Sequence, residues 1–296
     1  MSRYINPYTD FGFKKLFGEE ANKDLLIDFL NTILPEKHQI DTLEFRDKEQ
    51  LGPTASERRA VFDIYCENSN GEPFIVEMQK EDQEFFKDRS LFYSAYPIRE
   101  QGQKGKIVEE KLPDGTHKKK EWDFELKAVY FIAILDFIYD KDDPDPVFIR
   151  EVSLKDQFGK EFSDKLRMFY IQMPVFNLTE SELVTRQDKW LYFLKNLPSL
   201  DCIPSMMKEE IFQKAFHVSE VAAMPKKERD SYEYELNHYR TYWATLETRE
   251  KKGRTEGRAE EKIEIARNLK RKGLDDALIA ETTGLSLSEI KKLRID

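Results

Sequence analysis

The 296-residue chain contains only two cysteines and four histidines. Cys66 and Cys202 have no spacing that indicates a disulfide framework or a metal site, and both are expected to be buried, reduced thiols. The histidines are scattered without ligand spacing, and the sequence has no Gly-rich phosphate loop, nucleophile elbow or zinc signature. These absences argue against P-loop, serine-hydrolase and zinc-dependent chemistry.

Long apolar runs and an excess of positive charge are also missing. No run of about 18 apolar residues exists and the N-terminus lacks the apolar core of a signal peptide, so we expect a cytoplasmic protein with no membrane partner. The net charge of −9 means that the surface as a whole does not indicate nucleic-acid binding. Residues 249–296 depart from this average, with 13 Lys and Arg against 10 Asp and Glu. Any contact with DNA must therefore be local.

Two short segments, 60–67 and 73–80, are rich in β-branched and aromatic residues and predict a β-hairpin. Side chains alternate between the faces of a strand, so Glu77 and Gln79 share one face of the second segment. Lys80 lies on the opposite face. The hairpin therefore presents a carboxylate and an amide side by side.

The length of the turn decides whether Asp63 joins them. A two-residue turn would place Asp63 opposite Met78, on the wrong face of the sheet. A three-residue loop, 69–71, with Gly71 in the left-handed conformation pairs Asp63 with Glu77 instead. We predict the three-residue loop. Two carboxylates on one face repel each other unless a cation lies between them, and oxygen ligands favour a hard ion such as Mg²⁺ or Mn²⁺.

The spacing of Asp63, thirteen residues, Glu77 and Gln79 resembles the active-site hairpin of the PD-(D/E)xK nuclease superfamily, in the variant where Gln replaces the usual Lys. Further stretches, in this order, are similar to the recombination-promoting nuclease, or putative transposase, family of bacteria. They are residues 10–18 (DFGFKKLFG), 89–93 (RSLFY) and 166–176 (LRMFYIQMPVF). The resemblance covers roughly residues 4–176 and extends more loosely to the rest.

The resemblance implies a role for each site residue. Asp63 and Glu77 would hold the metal ion with the Met78 backbone carbonyl as a third ligand, and Gln79 would orient the attacking water without supplying a charge. The alternative for these side chains is an exposed polar face of an edge hairpin.

Accessory roles are implied for residues outside the hairpin. Asp10 would add a metal ligand from the first helix or, alternatively, cap that helix. Lys14 or Arg89 would supply a cation near the phosphate, and Arg89 and Tyr93 share a helical face that can contact the scissile strand.

The chain divides into three predicted parts. Residues 1–176 form an α/β nuclease-like core, a mixed sheet flanked by helices, with a polar loop or hairpin insertion at about 103–121. Residues 177–250 form a helical region and residues 251–296 a charged helix with a helix-turn-helix-like tail. The predicted elements are helices at 22–34, 81–101, 179–196, 205–217, 226–249 and 259–272 and strands at 128–137, 147–153 and 166–173. Gly273 is predicted to end the last of these helices.

The tail carries its own local signals. Ala280, Gly284 and Ile290 have the spacing of a helix-turn-helix, and Ser286 with Glu289 forms a capping box for the final helix. Its function stays open between groove binding to DNA and a helical hairpin that packs on its own chain or on a second copy.

Two functions follow as hypotheses. The first is a Mg²⁺-dependent DNA endonuclease associated with recombination or transposition, whose C-terminal helices engage DNA or form a homodimer. The second is a catalytically weak, nuclease-like DNA-binding or regulatory protein that acts through those helices. The intact trio of Asp63, Glu77 and Gln79 favours the first, whereas the acidic net charge and the missing Lys favour the second.

Overall fold

The computed structural model describes residues 2–47, 49–50, 60–104, 108–111, 117–120 and 124–294. The chain divides into two compact units, Met1–Glu235 and Leu236–Asp296. The first unit contains a mixed sheet with flanking helices, and the second contains the C-terminal helices.

The first unit is organised around a six-stranded sheet. Its strands are β1 (Leu43–Phe45), β4 (Ile64–Asn68), β5 (Pro73–Gln79), β8 (Val129–Leu135), β9 (Ile149–Lys155) and β10 (Glu161–Gln172), in the spatial order β1-β4-β5-β8-β10-β9. Strands β5, β8 and β10 are parallel neighbours, whereas the β1–β4, β4–β5 and β9–β10 pairs are antiparallel, so the sheet is mixed as predicted. Two separate antiparallel pairs join β2 (Glu49–Gln50) to β3 (Ala60–Val61), and β6 (Val108–Lys111) to β7 (His117–Lys120).

The turn between β4 and β5 has the predicted three-residue loop. Gly71 has a φ of 73°, and its N–H donates to the Asn68 carbonyl at 2.9 Å. The ladder then pairs Ile64 with Val76. Continuing this register by one residue places Asp63 opposite Glu77, as the sequence predicted.

One detail of the hairpin differs from the prediction. The segment 60–67 is not a single strand, because β3 pairs with β2 and the ladder of the main sheet begins only at Ile64. Asp63 lies in a bend between the two strands. The alternation within this segment does not reveal that its first residues pair with β2 instead of β5.

The face of the sheet that carries Ile75 is covered by helix α3 (Phe86–Lys104). Phe86 and Tyr96 of α3 pack with Ile75 and Phe131 in one hydrophobic cluster. Glu77 and Gln79 alternate with Val76 and Met78 and therefore lie on this same covered face.

In the part of the first unit that the structure describes, α3 is accompanied by α1 (Asp10–Phe17), α2 (Lys23–Ile33), α4 (Arg186–Asn196) and α5 (Glu210–Val218). Phe17, Phe29, Trp190 and Phe212 join them in an aromatic cluster with ring centroids 4.9–5.9 Å apart. Packing of Phe17 in this cluster fixes the position of α1 and of the side chains on its outer face.

Several predicted boundaries shift. Helix α4 begins at Arg186 rather than near 179, because Thr185 and Asp188 form a capping box there, and α3 begins at Phe86 rather than near 81. The antiparallel β6–β7 pair supports the hairpin form of the predicted insertion, whose remaining residues, at 105–107, 112–116 and 121, lie outside the described part. Cys66 is buried as predicted, but Cys202 is exposed.

The largest difference concerns α6 (Lys226–Arg271), a continuous helix of 46 residues where two helices were predicted. Gly253 and Gly257 do not interrupt it. The i,i+4 ion pairs Lys251–Glu247, Arg254–Glu250 and Lys252–Glu256 lie around the two glycines and support the helix through them. The predicted stop is confirmed, because Gly273 has a φ of 78° just after the last turn.

Two short helices follow, α7 (Asp276–Thr283) and α8 (Leu287–Lys292). Gly284, with a φ of 69°, makes the turn between them, and Ser286 and Glu289 form the predicted capping box. Ala266 of α6, Ile279 and Ile290 are buried together, so the last turns of α6 complete a small three-helix unit. No helix in the described residues is long and apolar enough to cross a membrane.

Candidate active site at the β4–β5 hairpin

Asp63 and Glu77 are joined by two hydrogen bonds from the backbone. The Asp63 N–H donates to Glu77 Oε1 at 3.2 Å, and the Met78 N–H donates to Asp63 Oδ2 at 2.8 Å. The bend at Asp63 frees its N–H from the β-ladder, which makes the first bond possible. Each carboxylate is thus fixed through one oxygen beside the backbone of the other strand.

The protein environment opposes ionisation of this pair. Burial, together with the nearby charge of Asp63, raises the pKa of Glu77 to about 8. Burial also raises the pKa of Asp63, and the charge of Asp10 adds to this effect. The Met78 hydrogen bond and the Lys14 and Lys80 charges act on the Asp63 pKa in the opposite direction. Two neighbouring carboxylates with raised pKa values are a typical feature of catalytic and cation-binding sites.

Gln79 and Arg89 extend the site along the same face. The Arg89 guanidinium lies 3.9 Å from Glu77 Oε2 and 3.5 Å from Gln79 Oε1, and it donates to Gln83 at 3.2 Å. The Gln79 amide nitrogen donates to the Glu81 carbonyl at 3.1 Å. The amide oxygen of Gln79 therefore faces the Arg89 guanidinium, and its amide nitrogen faces the backbone at Glu81.

Tyr93 orients the arginine. It lies one helical turn after Arg89 in α3, and the guanidinium carbon is 4.8 Å from the centre of its ring. Such cation–π stacking holds the guanidinium over the ring. The predicted shared face of Arg89 and Tyr93 is present in the structure, at the edge of the carboxylate pair.

Asp10 and Lys14 approach from α1. The Lys14 ammonium lies 2.7 Å from an Asp10 carboxylate oxygen, and both charges act on Asp63. Asp10 does not cap the helix, because Thr9 is the N-cap and accepts the Gly12 N–H. The capping alternative for Asp10 is therefore wrong.

Gly12 explains the glycine in the motif at residues 10–18. A Cβ at this position would lie 2.1 Å from the backbone oxygen of Asn6, closer than any two such atoms can approach. The first turn of α1 therefore packs directly on the preceding chain, and this contact fixes Asp10 and Lys14. Sequence reasoning did not single out Gly12, although its place inside the quoted motif was the available signal.

The donor chemistry of the pair fits a hard divalent cation. Among the described residues, nothing donates a hydrogen bond to Asp63 Oδ1 or Glu77 Oε2, so one oxygen of each carboxylate remains for a ligand. In a β-strand, the N–H and the C=O of one residue point towards the same neighbouring strand. Because the Met78 N–H points to Asp63, the Met78 carbonyl is directed to that side too. Within the described part, no group of three or more His, Cys, Asp or Glu side chains is positioned to hold a metal, so backbone or water oxygens must complete any coordination sphere.

The fold and this hairpin define a PD-(D/E)XK nuclease-like protein. Residues 7–248 match the family model described as PD-(D/E)XK nuclease family transposase, and residues 259–295 match the C-terminal HTH domain of the Rpn/YhgA-like nuclease family. The chain belongs to the PD-(D/E)XK nuclease family transposases, which confirms the resemblance found in the sequence. No curated protein and no solved structure shows significant similarity to it.

Proposed function

We propose that this protein is a Mg²⁺- or Mn²⁺-dependent DNA endonuclease that acts in recombination or transposition. The observation that carries the proposal is the pair of half-buried Asp63 and buried Glu77, which both have raised pKa values and one available oxygen each. A cation supplies the charge that stabilises two such carboxylates in their ionised form. Nucleases of this family use divalent metal ions.

Asp63, Glu77 and the Met78 carbonyl would hold the ion. When bound, a divalent ion polarises the phosphoryl oxygen and lowers the pKa of water at the site. In the hydrolysis, the water oxygen forms a bond to phosphorus and the bond between phosphorus and the leaving sugar oxygen breaks. The attacking water loses a proton to solvent, and the leaving oxygen takes up a proton from solvent to become a hydroxyl group. The chain's own residues must orient the water, bind the phosphate and stabilise the added negative charge.

Gln79 would orient the water through its amide oxygen, which already faces the Arg89 guanidinium at 3.5 Å. Arg89, stacked on Tyr93, would bind a phosphate oxygen beside Glu77. Lys14 would do the same from α1, and Asp10 would hold its ammonium in place.

The C-terminal helix-turn-helix would engage DNA. Its last helix carries Lys291 and Lys292, and Arg294 follows directly, so positive charge collects at one end of a small unit. A homodimer that places two such units on one DNA molecule would suit an enzyme of recombination.

A second function is supported by one observation. Gln79 stands where the common pattern has a Lys, so the site lacks the ammonium that would stabilise the developing charge. A catalytically weak protein that binds or regulates DNA through its C-terminal helices would have this feature. The two functions differ in whether phosphodiester bonds are broken.

The deciding experiment incubates the full chain with supercoiled plasmid in EDTA, Mg²⁺, Mn²⁺ or Ca²⁺. We expect nicking that needs a divalent ion and is lost in Asp63→Ala and Glu77→Ala. Glu44→Gln is the matched control, because Glu44 is a carboxylate on the edge strand β1 with its side chain 73% exposed. Equal activity in all four proteins would point to a contaminating nuclease, and DNA binding without cleavage by any of them would favour the second function.

A further inference from the structure

A surface pocket is linked to the carboxylate pair through Arg89, which lines the pocket and lies 3.9 Å from Glu77. Its volume is about 580 Å³, within the range of small-molecule sites. It is lined by the segment between β5 and α3 and by the first turns of α3: Gln83, Glu84, Phe85, Asp88, Arg89, Phe92 and Tyr93. Of these residues, only Arg89 and Tyr93 take part in the proposed cleavage.

The pocket has aromatic walls that water can reach. Phe85, just before α3, is 66% exposed and Phe92 of α3 is 47% exposed, although Phe86 of the same helix is buried. Phe92 is held from behind, because its ring packs edge to face on Tyr96 with centroids 5.2 Å apart. Exposed aromatic rings held in position, next to polar groups, are typical of surfaces that bind a flat ligand.

Arg89 connects the pocket to the carboxylates. Its guanidinium lines the pocket, stacks on Tyr93 and reaches Glu77 at 3.9 Å. A phosphate bound by Arg89 would therefore have the attached nucleoside within reach of the aromatic walls. The pocket itself does not suit a phosphate, because Glu84 and Asp88 line it and would repel one.

We propose that this pocket binds one unpaired nucleobase of the DNA strand that is cut, stacked against Phe85 and Phe92. The carboxylates of Glu84 and Asp88 accept hydrogen bonds from the amino groups of adenine, cytosine or guanine, whereas thymine has no amino group. The preferred substrate is therefore single-stranded or locally unpaired DNA at the cut, rather than a regular duplex. This inference rests on the proposed endonuclease function, because it names the substrate of the same site.

The test measures binding apart from cleavage, with the full chain carrying Asp63→Asn and Glu77→Gln in EDTA. The probes are one DNA sequence with a single 2-aminopurine, as a paired duplex, as a duplex with that base unpaired, and as a single strand. We expect tighter binding of the two unpaired probes and quenching of their fluorescence by stacking. Adding Phe85→Ala or Phe92→Ala should reverse the quenching and weaken binding of unpaired probes by about 5- to 100-fold, with duplex binding changed less than about threefold.

Phe158→Ala is the matched control, because Phe158 is 85% exposed on the β9–β10 connection and does not line the pocket. This variant should change neither the fluorescence quenching nor the binding of the unpaired probes. Equal weakening of paired and unpaired probes, or no quenching, overturns the base pocket even if the wild-type protein cuts plasmid. Quenching that depends on Phe85 and Phe92, in a protein that never cuts DNA, supports the pocket and overturns the endonuclease function instead.

Discussion

Asp63 and Glu77 lie opposite each other across the hairpin, and the Asp63 N–H donates to the Glu77 carboxylate at 3.2 Å. The reciprocal contact is the Met78 N–H bond to Asp63. The backbone thus holds a half-buried and a buried acid close together without supplying a compensating charge. The protonation of this pair with pH and its binding of a divalent ion follow most directly from this arrangement.

The first prediction concerns stability in the metal-free protein. The pKa of Glu77 is about 8 in the folded chain against 4.5 for an ordinary Glu, so between these values the folded state retains a proton that the unfolded chain has released. The free energy of unfolding should therefore fall as pH rises from about 4.5 to 8. Glu77→Gln removes this pH-dependent loss. Above pH 8 the free energy of unfolding of the variant should therefore exceed that of wild type by at least about 1 kcal/mol, which corresponds to a Tm higher by about 2–4 °C.

Thermal unfolding of both proteins from pH 4 to 9 in EDTA measures this difference. Adding Mg²⁺ or Mn²⁺ above pH 8 should stabilise wild type and leave the Glu77→Gln variant nearly unchanged. A constant difference between the two proteins across the whole range would show that Glu77 does not titrate in this window.

The second prediction concerns Gln79. If its amide orients the water, Gln79→Ala should lower the single-turnover rate by about 10- to 1000-fold and leave metal affinity nearly unchanged. Gln79→Lys should keep at least part of the activity, with a changed pH dependence, because an ammonium can stabilise the developing charge. Metal titration and single-turnover cleavage separate the two effects. Wild-type rates in Gln79→Ala would transfer the role to another group, with Lys14 as the next candidate.

The third prediction compares two glycines. Gly12→Ala should destabilise the first unit by about 1–3 kcal/mol or more, because the added Cβ would lie 2.1 Å from the Asn6 oxygen. Gly253→Ala is the opposite case, since beyond the backbone of α6 itself no atom of the described residues lies within 4 Å of its Cβ position. It should stabilise that helix by about 0.5–1 kcal/mol. Denaturant unfolding of both variants checks the signs, and a neutral Gly12→Ala would contradict the close packing of α1.

The fourth prediction concerns the C-terminal charges. Replacing Lys291, Lys292 and Arg294 by Ala should weaken DNA binding and reduce the slope of log affinity against log salt by up to about 3, roughly one for each phosphate that these side chains neutralise. Lys226 and Lys227, at the start of α6, provide the control pair. Unchanged affinity and slope in the triple variant would favour the packing alternative for these helices, and light scattering of the same samples would show whether they mediate self-association.

The sequence by itself determined the features that depend on neighbouring residues. Gly71 permits the left-handed turn that sets the register of Asp63 and Glu77, because a residue without Cβ adopts positive φ at little cost. Gly273, Gly284 and the Ser286 cap likewise fix the helix ends of the tail. Each signal acts within a few residues, so each could be predicted without knowledge of the fold.

Only the tertiary structure decided what depends on distant packing. The chain changes pairing partner before Asp63, from β2 to β5, and the burial of Glu77 results from its place on the face that α3 covers. The contact of Arg89 with Glu77 and the influence of Asp10 on Asp63 likewise arise from elements brought together by the core. Local patterns name the chemical groups of the site, but distances and desolvation, which set their pKa values, exist only once the chain has folded.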